Sequence, residues 1–178
     1  LSGTAVKQVA LDLGSSSFGG DEATDNVILN AGNANNHIVV TQLGNLDVGV
    51  TGLPESITMS HVESIDNLTI NGLDGNDTID ASALGGSVMN LTIDGGAGND
   101  TIFGSGGIDT IFGGAGDDTV NGGQSGDIVD LGAGNDTFIW ETGGGNDIVE
   151  GQDGIDTLDL KGNAADDPFQ IFANGSRV

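Results

Sequence analysis

The stretch that decides the fold reads Gly95-Gly96-Ala97-Gly98-Asn99-Asp100-Thr101-Ile102-Phe103 and returns as Gly113-Gly114-Ala115-Gly116-Asp117-Asp118-Thr119-Val120-Asn121. A looser copy, 104–112, lies between them. Copies 122–130, 131–139, 142–150 and 151–159 follow, with a two-residue slip at Trp140-Glu141. All seven units carry Asp at the sixth place: Asp100, Asp109, Asp118, Asp127, Asp136, Asp147 and Asp156. All seven are apolar at the eighth: Ile102, Ile111, Val120, Val129, Phe138, Val149 and Leu158. A fixed period with two fixed places marks a repeat architecture. Upstream, Asn67-Leu68-Thr69-Ile70 leads into Gly75-Asn76-Asp77-Thr78-Ile79 just as Asn90-Leu91-Thr92-Ile93 leads into Gly98-Asn99-Asp100-Thr101-Ile102. Residues 80–94 are therefore expected to carry an insertion into one coil. A fainter copy, Asp25-Asn26-Val27-Ile28-Leu29 followed by Asn35-Asn36-His37-Ile38, has Asn36 at the sixth place and has lost most glycines.

These units cannot be helical, because each interior glycine would cost a helix about 1 kcal/mol. Glycine suits turns that need positive φ. The last three residues of a unit then form a short strand with one side chain pointing inward. Two turns and two strands close a coil, and stacked coils make two parallel sheets facing each other. The apolar runs 26–30, 37–41, 57–59 and 68–70 are expected as strands of wider coils. Three regions follow: degenerate N-terminal β-helix coils over 1–66, a repeat roll over 67–161, and the start of a capping segment over 162–178.

Charge narrows the function. Among 178 residues there are 27 Asp and Glu against three cations, for a net charge of −24, and no Lys or Arg between residues 8 and 160. Such a chain lacks the basic face that nucleic acid requires, and anionic membrane surfaces would repel it. No apolar run approaches the ~18 residues of a membrane span. With 36% hydrophobic residues it is not a solvated acidic tail either. Cysteine is absent, which removes disulfides and thiolate sites. With no initiator Met and no leader-like start, the chain is expected to be a piece of a longer polypeptide.

Stacking places the sixth-place carboxylates about 5 Å apart, the spacing of neighbouring strands. At that distance each pair repels by about 3 kcal/mol in an effective dielectric near 20. The sequence supplies no Lys or Arg to sit between them, so a metal cation is expected. Carboxylate and carbonyl oxygens are the ligands on offer, and hard oxygen donors in flexible turns suit Ca²⁺ better than Mg²⁺.

Units such as GGAGNDTIF and GGAGDDTVN resemble the RTX (repeats-in-toxin, haemolysin-type calcium-binding) family, over residues 72–80 and 95–159. The resemblance implies an all-β, right-handed parallel β-roll (a β-solenoid) with Ca²⁺ held between turns one coil apart. Carried over by position, it implies an ion between Asp100 and Asp118 with the carbonyls of Gly96, Gly98, Gly113 and Ala115. A second would lie between Asp109 and Asp127 with those of Ser105, Gly107, Gly122 and Gln124. The pair Asp118/Asp136 would add Gly114, Gly116, Leu131 and Ala133, and Asp127/Asp147 and Asp136/Asp156 complete five ions. A sixth, between Asp77 and Asp100, depends on the insertion looping out cleanly. Ser125 in place of the fourth glycine is expected to distort its turn, and the slip at Trp140 to bulge the coil. Trp140 itself is expected to pack rather than ligate.

An enzyme has no support in the residues. His37 and His61 stand in no His-Glu-x-x-His motif. Gly14-Ser15-Ser16-Ser17-Phe18 and Gly123-Gln124-Ser125-Gly126 both miss the Gly-x-Ser-x-Gly elbow. The expected function is a calcium-binding module of a secreted bacterial protein, folding on Ca²⁺ after export by a type I system. Alternatives are a surface-layer or matrix filament built from coils stacked end to end, and a fragment of a carbohydrate-active β-helix enzyme.

Overall fold

The computed structural model describes residues 8–15 and 19–162, and these contain strands, turns and loops but no helix. The strands are β1 (Gln8–Asp12), β2 (Gly14–Ser15), β3 (Gly19–Gly20), β4 (Asn26–Asn30), β5 (His37–Gln42), β6 (Asp47–Thr51) and β7 (Ser56–Ser60). They continue as β8 (Asn67–Asn71), β9 (Thr78–Ala83), β10 (Asn90–Ala97), β11 (Thr101–Phe103), β12 (Asp109–Ala115) and β13 (Thr119–Asn121). The last four are β14 (Ile128–Ala133), β15 (Thr137–Glu141), β16 (Ile148–Glu150) and β17 (Thr157–Lys161).

From β8 onward the chain alternates between two sheets, and each strand pairs in parallel with the strand one coil away. One sheet runs β16-β14-β12-β10-β8-β4; the other runs β17-β15-β13-β11-β9-β5 and then β6, β7 and β1. This is an all-β parallel β-roll. Inward side chains stack in register as Leu29, Ile70, Ile93, Ile111, Val129 and Val149 from one sheet. Ile38, Ile79, Ile102, Val120, Phe138 and Leu158 face them from the other. The eighth-place residues are buried from Ile102 to Phe138, whereas Leu158, in the last described strand, is 47% exposed.

The sequence-predicted insertion is accommodated cleanly. Thr78 pairs with Thr101 across it, and Leu84, Val88 and Met89 of the intervening loop are buried. The slip at Trp140 leaves register intact, with Thr137 opposite Thr157 and Ile128 opposite Ile148. The additional residues are taken up in the loop after β15, where Gly143 and Gly145 have positive φ. Trp140 is partly buried against the core, as a packing residue should be.

The first half differs from the expected run of wide coils. Strands β4 and β5 form a coil in parallel register with β8 and β9, but β6 is antiparallel to both β5 and β7. The apolar run 57–59 thus belongs to a meander that caps one sheet, not to a coil. Alternating burial along β7 fits either arrangement, so the strand pattern alone carried no information about direction. The segment 163–178, expected to begin a cap, lies outside the described residues.

Candidate metal centre

Two files of turns run along the roll. The file entering β5, β9, β11, β13, β15 and β17 carries Asn36, Asp77, Asp100, Asp118, Asp136 and Asp156 at successive sixth places. The file entering β12, β14 and β16 carries Asp109, Asp127 and Asp147. In both, the backbone N–H of each sixth residue donates to Oδ1 of the next. The distances are 2.7 Å for Asp77 to Asp100, 2.7 Å for Asp100 to Asp118 and 2.8 Å for Asp118 to Asp136. Asp136 to Asp156 is 3.1 Å, and Asp109 to Asp127 and Asp127 to Asp147 are each 2.9 Å. One oxygen of each accepting carboxylate is thus committed to holding coils in register.

The other oxygen is not. Oδ2 of Asp77, Asp100, Asp118, Asp127 and Asp136 is buried and has no hydrogen-bond donor. An ionised oxygen in that state is among the least tolerable groups a protein interior can hold. Burial is the first cause that raises the carboxyl pKa values, to about 6 at Asp100 and about 7 at Asp118 and Asp127, with neighbouring carboxylates adding to it. Burial likewise raises Asp136 and Asp147 above the ordinary range.

Beside several of these oxygens lies another oxygen. A Cβ placed on Gly95 would stand 2.5 Å from Asp100 Oδ2 and 2.5 Å from the carbonyl oxygen of Gly113. The same pair recurs at Gly72, with Asp77 Oδ2 and the Gly95 carbonyl, at Gly104, with Asp109 Oδ2 and the Gly122 carbonyl, and at Gly113, with Asp118 Oδ2 and the Leu131 carbonyl. Glycine at the first place therefore leaves a small space lined by a carboxylate oxygen and the carbonyl of the next coil. Such a donor set, all oxygen and anionic, fits a hard divalent cation such as Ca²⁺. No cluster of three or more His, Cys, Asp and Glu occurs among the described residues. At each space the near oxygens are one carboxylate oxygen and one backbone carbonyl, so any further donors would have to come from other oxygens of the turns.

Second- and fourth-place glycines serve the turn itself. Gly114 and Gly116 have φ of 114° and 126°, and a Cβ on either would strike the Gly96 or Gly98 carbonyl of the coil before. Ser125 at the fourth place is left-handed at φ 74°, as are Leu73 and Gln152 at second places, at φ 77° and 65°. Ser125 thus shares the left-handed backbone of Gly145 one coil on (φ 86°), with a φ well below the 126° and 150° of the fourth-place Gly116 and Gly134. The third-place carbonyls are partly engaged: Ala115 accepts from Gly98 N–H at 2.7 Å and Ala133 from Gly116 N–H at 2.8 Å.

Ser105 sets one site apart. Its N–H donates to Asp109 Oδ2 at 2.5 Å and its hydroxyl to Oδ1 at 2.8 Å, while Gly107 N–H donates back to the hydroxyl at 3.0 Å. The Ser105 carbonyl accepts from Gln124 N–H at 3.0 Å. Asp109 is thus the one buried array carboxylate among the described residues whose two oxygens both have local donors within its own turn. A serine four residues before the repeating Asp was the available signal.

A second file was not read from the sequence. Asn76 N–H donates to Asn35 Oδ1, Asn99 N–H to Asn76 Oδ1, Asp117 N–H to Asn99 Oδ1 and Asn135 N–H to Asp117 Oδ1, at 2.8–3.1 Å. Fifth-place Asn and Asp therefore tie each turn to the next in the opposite sense to the sixth-place Asp. The recurring Asn-Asp pair was the clue to it.

The RTX calcium-binding nonapeptide repeat matches the chain in four copies, over residues 69–83, 92–111, 103–138 and 141–158. No curated protein and no solved structure matches the chain. Residues 69–158 are accordingly RTX repeats, and the roll they form is a calcium-binding module. No helix among the described residues is long and apolar enough to cross a membrane.

Proposed function

Because residues 69–158 are RTX repeats, we propose that the chain is the calcium-assembled part of a secreted bacterial protein, non-catalytic in itself. In this reading it is self-repelling at the low calcium of a cytosol and folds after export by a type I system. The observation that carries it is the set of five buried, donorless Oδ2 atoms, of Asp77, Asp100, Asp118, Asp127 and Asp136. Those of Asp77, Asp100 and Asp118 lie beside a carbonyl of the coil that follows, and the repeat extends the same reading to Asp127 and Asp136, which supports ions at the pairs Asp77/Asp100, Asp100/Asp118, Asp118/Asp136, Asp136/Asp156 and Asp127/Asp147. At Asp109/Asp127 an ion has to displace the Ser105 donors, so this site is the weakest.

Extracellular modules of this kind bind calcium with Kd of about 10⁻⁴–10⁻³ M, and binding and folding form one equilibrium. The test is circular dichroism during a calcium titration, reversed by chelator, with equilibrium dialysis to count ions. We expect β structure to appear cooperatively with calcium and to be lost on chelation. Full β structure in chelator refutes folding by calcium. Equal rescue by magnesium refutes the choice of ion, and calcium-dependent growth in a sedimentation experiment favours a filament.

A further inference from the structure

The coil at 26–42 belongs to the same turn file as the calcium array, yet its sixth place is Asn36. Asn36 keeps the register bond, donating its backbone N–H to Asp77 Oδ1 at 2.7 Å. Its side-chain amide does something no carboxylate can do. Nδ2 donates to the carbonyl of Gly32 at 2.9 Å, to that of Ala34, and to Asp77 Oδ1 at 3.1 Å. Every neighbour of that nitrogen is an acceptor, which fixes the orientation of the amide. Gly32 and Ala34 are the second- and fourth-place residues of this turn, as Gly96 and Gly98 are of the turn that ends in Asp100. The amide therefore collects two turn carbonyls and a carboxylate oxygen of the next coil, half of the four carbonyls and two carboxylates that the calcium reading assigns to an ion.

We infer that the Asn36 amide stands in for a calcium ion, closing the first coil of the roll without metal. The inference rests on the calcium reading of the Asp turns. The other turn of the same coil is also satisfied without metal. Asp66, fully buried, accepts from Asp25 N–H at 2.9 Å through Oδ1 and from Glu63 N–H at 2.7 Å through Oδ2. This region also has an apolar core of its own, where Val27, Leu29, Ile38, Val40, Val48, Val50, Ile57 and Met59 are buried with Leu68 and Ile70. Residues 26–83 thus form a block that folds in chelator and presents β8 and β9 as a ready edge on which the calcium-dependent coils are laid.

The test uses the full chain as wild type, Asn36→Asp and Asn36→Ala, with calcium counted by equilibrium dialysis and amide protection followed by hydrogen exchange. In chelator, wild-type β4, β5 and β8 should stay protected while β11 to β17 exchange freely. Asn36→Asp should bind one more calcium ion per chain than wild type, losing the protection of β4 and β5 in chelator and regaining it with calcium. Asn36→Ala should lose that protection without gaining an ion and without rescue. Asn36→Asp at wild-type stoichiometry, with its roll intact by circular dichroism, overturns the equivalence of amide and ion. Wild-type β4 and β5 exchanging as fast as the array in chelator overturns the metal-free block. A wild-type chain that binds no calcium overturns the calcium reading and the equivalence together.

Discussion

Asp118 lies in the middle of the longer turn file, and the substitution Asp118→Asn should change stability in opposite directions with and without calcium. The Asp118 side chain is 2% exposed, Oδ1 accepts the Asp100 N–H, and Oδ2 has no donor. Burial, reinforced by Asp100, Asp136 and Asp117, raises its pKa from 3.8 to about 7. Above pH 7, keeping this group ionised in the metal-free fold therefore costs at most on the order of 4 kcal/mol relative to the unfolded chain, and less where water screens the turn. An asparagine at this place carries no charge, and its amide can donate to turn carbonyls as that of Asn36 does. With calcium the balance should reverse, since the proposed sites place Asp118 in both the Asp100/Asp118 and the Asp118/Asp136 pairs. At ~10 mM calcium and a Kd of about 10⁻⁴–10⁻³ M, each ion contributes roughly 1.4–2.7 kcal/mol. Weakening two sites should remove roughly 3–5 kcal/mol. The assay is urea unfolding at pH 8 in chelator and in calcium, read by Trp140 fluorescence and far-ultraviolet circular dichroism. Where the chelated array shows no transition, residual β signal is compared instead. The variant should be the more folded protein in chelator and the less stable one in calcium. A change of the same sign in both conditions, or none in either, refutes the reasoning.

The raised pKa values of about 6 at Asp109 and about 7 at Asp127, mainly from burial, mean that folding without metal takes up protons. That contribution is complete below the ordinary carboxylate value and is lost as pH rises through about 6–7, so chelated protein should gain β structure between pH 8 and pH 5, while calcium affinity falls over the same window. A chelated dichroism spectrum invariant across that range contradicts the assignment. Gly114→Ala forces a Cβ onto the Gly96 carbonyl at φ 114° and should destabilise the calcium-loaded roll by about 1–3 kcal/mol or more, whereas Gly143→Ala, with nothing within 4 Å of its Cβ, should cost only the backbone strain. Equal melting temperatures for the two variants count against the close approach of coils. Ser105→Ala removes the hydroxyl donor of Asp109 and should lower stability in chelator by about 1–3 kcal/mol, with a smaller loss in calcium. A larger loss in calcium than in chelator would mean that Ser105 serves the ion rather than replacing it.

Much of the fold was legible because the repeat is local. A unit whose glycines demand turns and whose eighth place is always apolar can only be a turn and an inward-facing strand, and Ile102, Ile111, Val120 and Val129 are buried as that pattern requires. The Asp files were legible for the same reason, since equal phase in sequence becomes equal height in a stack. Partners within a file lie at sequence separations of 18, 20, 23 or 41 residues. Only the first three were read correctly, because the 41-residue step contains the meander of β6 and β7, whose direction no period encodes.

By itself the sequence determined the parallel roll, the register of its repeated coils and the carboxylates that face one another. Tertiary structure decided which oxygen of each carboxylate is spent on the neighbouring coil and which is left without a donor. It also decided that Ser105 and Asn36 satisfy their turns while Asp100 and Asp118 cannot. The physical reason is that periodicity specifies local backbone shape, whereas the satisfaction of a buried lone pair depends on what a coil elsewhere in the chain brings within about 3 Å of it.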